Sequence, residues 1–198
     1  MKRITVLKAF IAAAALYPAA ALVYGYFTDN LSANPIDYIT DHTGDAAIAC
    51  LVTTLTVTPL RRVTGWNELI RLRRMLGLFA FFYASLHLLT WVVIDQFFDV
   101  QTMVEDIFER PFITIGMTTF VLLFPLAITS TKGMIRRLGR RWQQLHRLAY
   151  VAALTAVIHF WWGVKADFRE PRLWALALSA LFGFRLWWMF RTRTLSRS

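Results

Sequence analysis

Six apolar runs, each near the length of a bilayer crossing, divide this chain, and the loops between them alternate in charge. A hydrocarbon core of about 30 Å is crossed by about 20 apolar residues in a helix. The runs fall at about 9–27, 46–60, 75–94, 112–130, 145–164 and 173–190. In lipid the backbone must satisfy its own polar groups, which segments of this length do as α-helices. The expected fold is therefore all-α: an integral membrane six-helix bundle forming a single domain over residues 1–198. The second run is the weakest, short and Thr-rich, and its threonines are tolerable where they face other helices.

Loop charge sets the orientation. Segments 1–8, 61–74, 131–147 and 185–198 hold 18 of the 22 Lys and Arg residues, whereas the other loops hold 11 of the 12 Asp and Glu. Basic loops stay on the cytoplasmic side, so both termini are expected there. The net charge of +10 is then a matter of topology. It calls for lipid headgroups as neighbours and no nucleic acid. Residues 28–45 read as an acidic outer loop, with turns at Asn34-Pro35 and Thr43-Gly44. The first run also fits a signal peptide with Ala19 to Ala21 as its cleavage site. Its length and its aromatic end at Tyr24, Tyr26 and Phe27 favour a retained anchor, kinked at Pro18. Arg185 lies near the end of the last run, where it is expected to snorkel toward the headgroups. A single cysteine, Cys50, excludes an internal disulfide and a CxxC pair. No internal repeat is visible.

An ionisable residue inside lipid is costly and marks function by default. His87 and His159 each follow the start of a run by 12 to 14 residues, about 18–21 Å along a helix. Their runs cross in the same direction, so the two imidazoles share a depth in the outer half of the membrane. Two histidines so placed can take both axial positions of a haem iron, with the macrocycle between the helices. The alternative for each is an interhelical hydrogen bond. Zinc is disfavoured, because it takes about four ligands and no further Cys, His or carboxylate lies at that depth. His146 sits at the cytoplasmic end of the fifth run, about 20 Å from His159 and rotated from it by about 140° on an ideal helix. At matching depth the third run offers Arg73, Arg74 and Met75, none of them histidine. His146 thus has several roles open: ligand of a second haem with another axial group, hydrogen-bonding partner of a quinone or flavin, or contact to lipid phosphate. His42 reads as an outer interfacial residue that could help dock a partner. No nucleophile–base motif, P-loop or GxGxxG element is present.

The stretch from Ile128 through Gly139 and Trp142 to His146 and Tyr150, followed by His159, resembles the MsrQ (YedZ) family, the haem-binding membrane subunits of a bacterial methionine sulfoxide reductase system. Asn34-Pro35 with His42-Thr43-Gly44, Arg71 to Leu78 with Leu86-His87-Leu88, and Arg110-Pro111 extend the resemblance over residues 34–165. The wider group is the ferric reductase-like transmembrane superfamily, six-helix proteins with b-type haem.

The resemblance implies an electron-transfer subunit with no catalytic residue of its own, multi-pass in the bacterial inner membrane. It would carry electrons from quinol, or from a cytoplasmic flavin reductase, to the periplasmic molybdopterin subunit MsrP. It implies haem b, one or two, on His87, His159 and His146, and FMN as a further cofactor. Arg73, Arg74 and Arg141 are the candidates for a flavin or quinone site, since guanidinium groups suit phosphate. Ferric reductases carry paired histidines on both ligand helices and a C-terminal flavin–nicotinamide domain. Here the third run has one histidine and the sequence ends at Ser198. The alternatives are a haem reductase for another periplasmic or metal acceptor, or a haem-free membrane scaffold or transporter.

Overall fold

The Thr-rich segment that reads as the weakest crossing belongs to the longest and innermost helix. In the computed structural model, which describes residues 2–164 and 167–195, helix α2 spans Pro35–Thr64. The expected limits of 46–60 and the expected loop over 28–45 are therefore both too narrow a view of this helix. Asn34 caps its start by accepting from Asp37 N, Pro35 fits the first turn, and Gly65 closes it at φ 70°. Only glycine takes that left-handed angle at no steric cost. Thr43, Thr54 and Thr56 do not weaken α2, because their hydroxyls donate to carbonyls one turn back: Thr43 to Ile39 (2.7 Å), Thr54 to Cys50 (2.8 Å) and Thr56 to Val52 (3.0 Å). A composition average counts these hydroxyls as polar although each is already satisfied inside the helix.

The remaining elements are α1 (Lys2–Phe27), α3 (Leu72–Leu89), α4 (Val100–Glu109), α5 (Pro111–Ile128), α6 (Lys132–Leu138), α7 (Arg140–Leu145), α8 (Leu148–Gly163) and α9 (Arg169–Leu195). A 3-10 turn over Asn67–Arg71 leads into α3, and a π-helical turn over Thr90–Asp95 follows it. No strand occurs among the described residues. Lys165 and Arg197, counted among the loop charges, lie outside them. Five helical stretches are long and apolar enough to cross a membrane: α1, α2, Asn67–Asp95, α5 and α9. α8 is shorter, at 16 residues or about 24 Å. The expected fifth run, 145–164, is broken because the chain turns at His146 and Arg147.

Two antiparallel hairpins form the centre. α2 packs most extensively on α3, and α5 on α8. Leu51, Leu55, Ala80, Leu123, Ala152 and Val157 fill the space between them. Thr119 ties α5 to α8 through the Thr155 hydroxyl at 2.8 Å. The acidic stretch between the apolar runs 75–94 and 112–130 contains α4. Asp99 caps it by accepting from Gln101 N and Thr102 N. With the Thr102 hydroxyl also donating, these bonds hold the Asp99 carboxyl below the usual carboxylate range.

α1 lies at the periphery with most of its large side chains exposed; Ile4, Leu7 and Ile11 near its start pack against Val57, Leu69, Leu72 and Leu76, and a buried phenol holds its middle. The Tyr83 hydroxyl donates to Ala15 O (2.5 Å) and accepts from Ala19 N (3.2 Å), entering the helical ladder beside Pro18. A side chain inserted into the ladder is a recognised cause of bending. Tyr83→Phe is expected to cost about 1 kcal/mol of stability. It should also make α1 more accessible to protease in detergent, while α2 to α9 keep wild-type protection.

Arg185 does not snorkel. It turns inward from α9: Nη2 donates to Leu55 O at 2.8 Å, Nη1 donates to the Tyr150 hydroxyl, and the guanidinium lies 4.6 Å above the Tyr150 ring. The cause sits four residues after Leu55. Pro59 has no N–H, so the buried Leu55 carbonyl lacks its helical partner and Arg185 takes the place.

Candidate functional site

Between the two hairpins lies a cavity of about 390 Å³ with both His87 and His159 in its wall. That volume is in the range of small-molecule and cofactor sites, about 300–1,000 Å³. The rings of His87 and His159 stand 5.9 Å apart, centre to centre, with their planes crossing at 82°. Their Nδ1 atoms are engaged. His87 Nδ1 is 2.9 Å from Thr40 O on α2, and His159 Nδ1 is 2.7 Å from Phe112 O on α5. A carbonyl accepts only from N–H, so in both rings Nδ1 carries the proton and Nε2 keeps its lone pair. Neither Nε2 has a hydrogen bond among the described residues.

This is the arrangement of a metal-ligating histidine, in which one ring nitrogen binds and the other donates to an oriented acceptor. Imidazole–metal bonds of about 2 Å on both sides would set the ring centres about 6 Å apart. The observed separation matches. No group of three or more His, Cys, Asp and Glu side chains that could hold a bare metal ion occurs among the described residues. A macrocycle that already supplies its equatorial ligands needs only the two imidazoles.

Glycine makes each close approach possible. A Cβ at Gly116 would lie 2.8 Å from His159 Cε1 and 2.9 Å from its Nδ1. At Gly44 it would lie 3.2 Å from His87 Nδ1. Thr43-Gly44 has the sequence of a turn but lies inside α2, and Gly116 has no sequence signal beyond its position one turn after the start of an apolar run.

Part of the cavity wall is acidic. Asp37, Asp41 and Asp45 form a stripe on α2, and Asp95 joins them. Arg110 is also in the wall, paired with Asp106 at 3.0 Å. His42 is not part of it: exposed, it stacks on Tyr38 at 3.8 Å and bonds the Tyr38 carbonyl at 2.9 Å.

His146 is also separate. It lies in the turn between α7 and α8, stacked on Trp142 at 3.9 Å, with Nδ1 3.2 Å from Trp142 O. Trp142 Nε1 in turn donates to Thr129 O. His146 Nε2 is buried, with no hydrogen bond of ordinary geometry among the described residues. Of the three candidate arginines, Arg73 is half-buried and acts electrostatically on His146 and Arg185, whereas Arg74 and Arg141 are exposed. The structure therefore does not gather Arg73, Arg74 and Arg141 into one buried cluster; the cation it adds beside Arg73 is Arg185.

The Ferric reductase like transmembrane component family matches residues 43–157. The chain is 50% identical over 195 residues to a protein-methionine-sulfoxide reductase heme-binding subunit MsrQ of Herminiimonas arsenicoxydans, covering 97% of this chain and 89% of that one. It is 51% identical over 180 residues to the MsrQ of Ralstonia nicotianae, covering 89% and 83%. To that of Bordetella pertussis it is 47% identical over 189 residues, covering 93% and 92%. With its apolar helices, the chain is a multi-pass membrane protein, and multi-pass helical proteins of bacteria reside in the inner membrane, where outer-membrane spans are barrels. On the matched family, on an identity near one half and on coverage of nearly the whole length, the chain belongs to the MsrQ family within the ferric reductase-like transmembrane proteins.

Proposed function

We propose that this protein is a b-type haem electron-transfer subunit, held on His87 and His159, that serves a periplasmic methionine sulfoxide reductase. The observation that carries the reading is the pair of Nε2 atoms left free by the Nδ1 bonds, on rings 5.9 Å apart in one cavity. When bound, haem supplies a one-electron iron couple whose potential follows its axial ligands and their hydrogen bonds. The protein's part is to hold both imidazoles in one tautomer and to keep the surroundings apolar with Leu51, Leu123 and Phe120. A non-covalent haem is favoured, because the single cysteine leaves no C-x-x-C-H attachment motif.

The finer assignments follow from charge and family. The basic loops favour a cytoplasmic side for both termini, and α8 would then be a sixth, short crossing of one bundle. The cavity, on the acidic side, then faces the periplasm, where the molybdopterin subunit MsrP would receive electrons. Quinol or a cytoplasmic flavin reductase would supply them near His146, where Arg73 and Arg185 favour an anionic cofactor such as FMN.

The test is an absorption spectrum and haem extraction on protein purified in detergent from haem-supplied cells. A Soret band, dithionite-reducible α bands and extractable haem are expected, with reoxidation on addition of MsrP and a sulfoxide substrate. Colourless protein would overturn the haem reading. Haem that MsrP fails to reoxidise would overturn the partner.

A further inference from the structure

We propose that the cavity is a pseudo-twofold seat built from two copies of one helical hairpin, in which Gly44 and Gly116 are paired positioning residues for the two axial histidines. This rests on the haem reading above and adds to it the residues that fix the ring orientations. The sequence shows no repeat on inspection; the cavity does. Thr40 O and His87 are 47 residues apart, and so are Phe112 O and His159. A shift of 72 residues carries Thr40 onto Phe112, Gly44 onto Gly116 and His87 onto His159.

The same shift holds for most of the cavity wall. Of its 27 residues, 22 form 11 pairs that are 72 apart, and five, Ile36, Asp37, Asp95, Arg110 and Val164, do not. Leu51 with Leu123 and Ala84 with Ala156 are identical pairs. Ala80 and Ala152, one helical turn deeper, match too, and both have 0% exposure. The two connections between paired helices are built differently, one through a 3-10 turn and the other through α6 and α7, yet they preserve the register. Two antiparallel hairpins in equal register, with their histidines facing at 5.9 Å, are what a twofold axis between the rings requires.

Within each hairpin the device is the same. The carbonyl that accepts the imidazole Nδ1–H lies four residues before the glycine, so in the helix it also faces the glycine N–H. With no Cβ on the glycine, the ring reaches that carbonyl side-on. A methyl group there would push the ring away from its acceptor and turn it. Orientation and Nδ1–H donation tune a metal-bound imidazole. The two glycines therefore act through the histidines on the spectrum and potential of the iron.

The experiment compares the whole protein with Gly44→Ala, Gly116→Ala and the control Gly183→Ala, where a Cβ meets nothing within 4 Å. Haem content, reduction potential and ferric low-spin EPR are measured on monodisperse protein. With rings crossing at 82°, the wild type is expected to give the highly anisotropic low-spin signal of near-perpendicular axial imidazoles. Gly116→Ala, the tighter site, is expected to retain haem about 10-fold more weakly. Gly44→Ala, whose Cβ would press on His87 Nδ1 at 3.2 Å, is expected to keep its haem and shift both EPR signal and potential. Gly183→Ala stays at wild type. Unchanged EPR and potential in Gly44→Ala together with full haem in Gly116→Ala would overturn the seat while leaving the haem reading intact. Wild-type protein without haem would overturn the reading on which it rests. If Gly116→Ala does not fold, Gly44→Ala alone decides.

Discussion

Alanine in place of His87 or His159 is expected to leave a folded protein without the low-spin bis-imidazole spectrum and with little or no haem. Each ring lies in the cavity wall, and its removal would delete a proposed ligand while leaving the helices that carry it in contact. Loss of an oriented outer-shell partner alone weakens metal binding by about 10–100-fold, so loss of the ligand itself should exceed that. Rescue from nearby is poor, because Cys50 is buried in the core and does not line the cavity. His42→Ala serves as the control: its ring is exposed and bonded to its own helix, so spectrum and haem content should match wild type. His146→Ala should keep the band of the His87–His159 haem, and its haem-to-protein ratio reports whether a second iron was present. An unaltered spectrum in either His87→Ala or His159→Ala would remove that residue from the site.

That His87 and His159 share one level of the helix bundle was legible because hydropathy and helical rise are one-dimensional quantities, and the two rings meet in one cavity. That their Nδ1 atoms are occupied was not legible. The acceptors Thr40 and Phe112 are backbone carbonyls 47 residues away, and any residue type supplies a carbonyl. The extent of α2 was hidden by its threonines, whose hydroxyls lower the apparent apolarity while bonding their own helix. The repeat was hidden for another reason. Few positions keep their identity across the 72-residue shift, among them Gly44, Leu51, Ala80, Ala84 and His87, and within the cavity wall itself Asp41 and Asp45 answer to Ile113 and Met117. Most other positions have drifted, so a comparison along the whole segment is diluted. His146 misled in the opposite sense: it and His159 look like members of one helix, but the turn at 146–147 separates them.

Arg185→Leu is expected to destabilise the protein by about 2 kcal/mol, through a carbonyl rather than through lost charge pairing. No carboxylate pairs with Arg185 among the described residues; its neighbours are Leu55 O, the Tyr150 hydroxyl and ring, and the like charges of Arg62 and Arg73. Removing a cation from beside other cations favours stability slightly. The larger effect is of opposite sign, because Leu55 is wholly buried and its carbonyl would be left with no donor. That deficit exists only because residue 59 is proline. In a Pro59→Ala background the new N–H can take the Leu55 carbonyl within α2, and the same Arg185→Leu change should then cost much less. A double-mutant cycle by chemical unfolding in detergent should give a coupling of about 1–2 kcal/mol between positions 59 and 185. Equal losses in both backgrounds would show that Arg185 acts through Tyr150 alone. A coupling of the expected size would explain why an arginine near the end of the last crossing points inward when a longer reach to the headgroups was open to it.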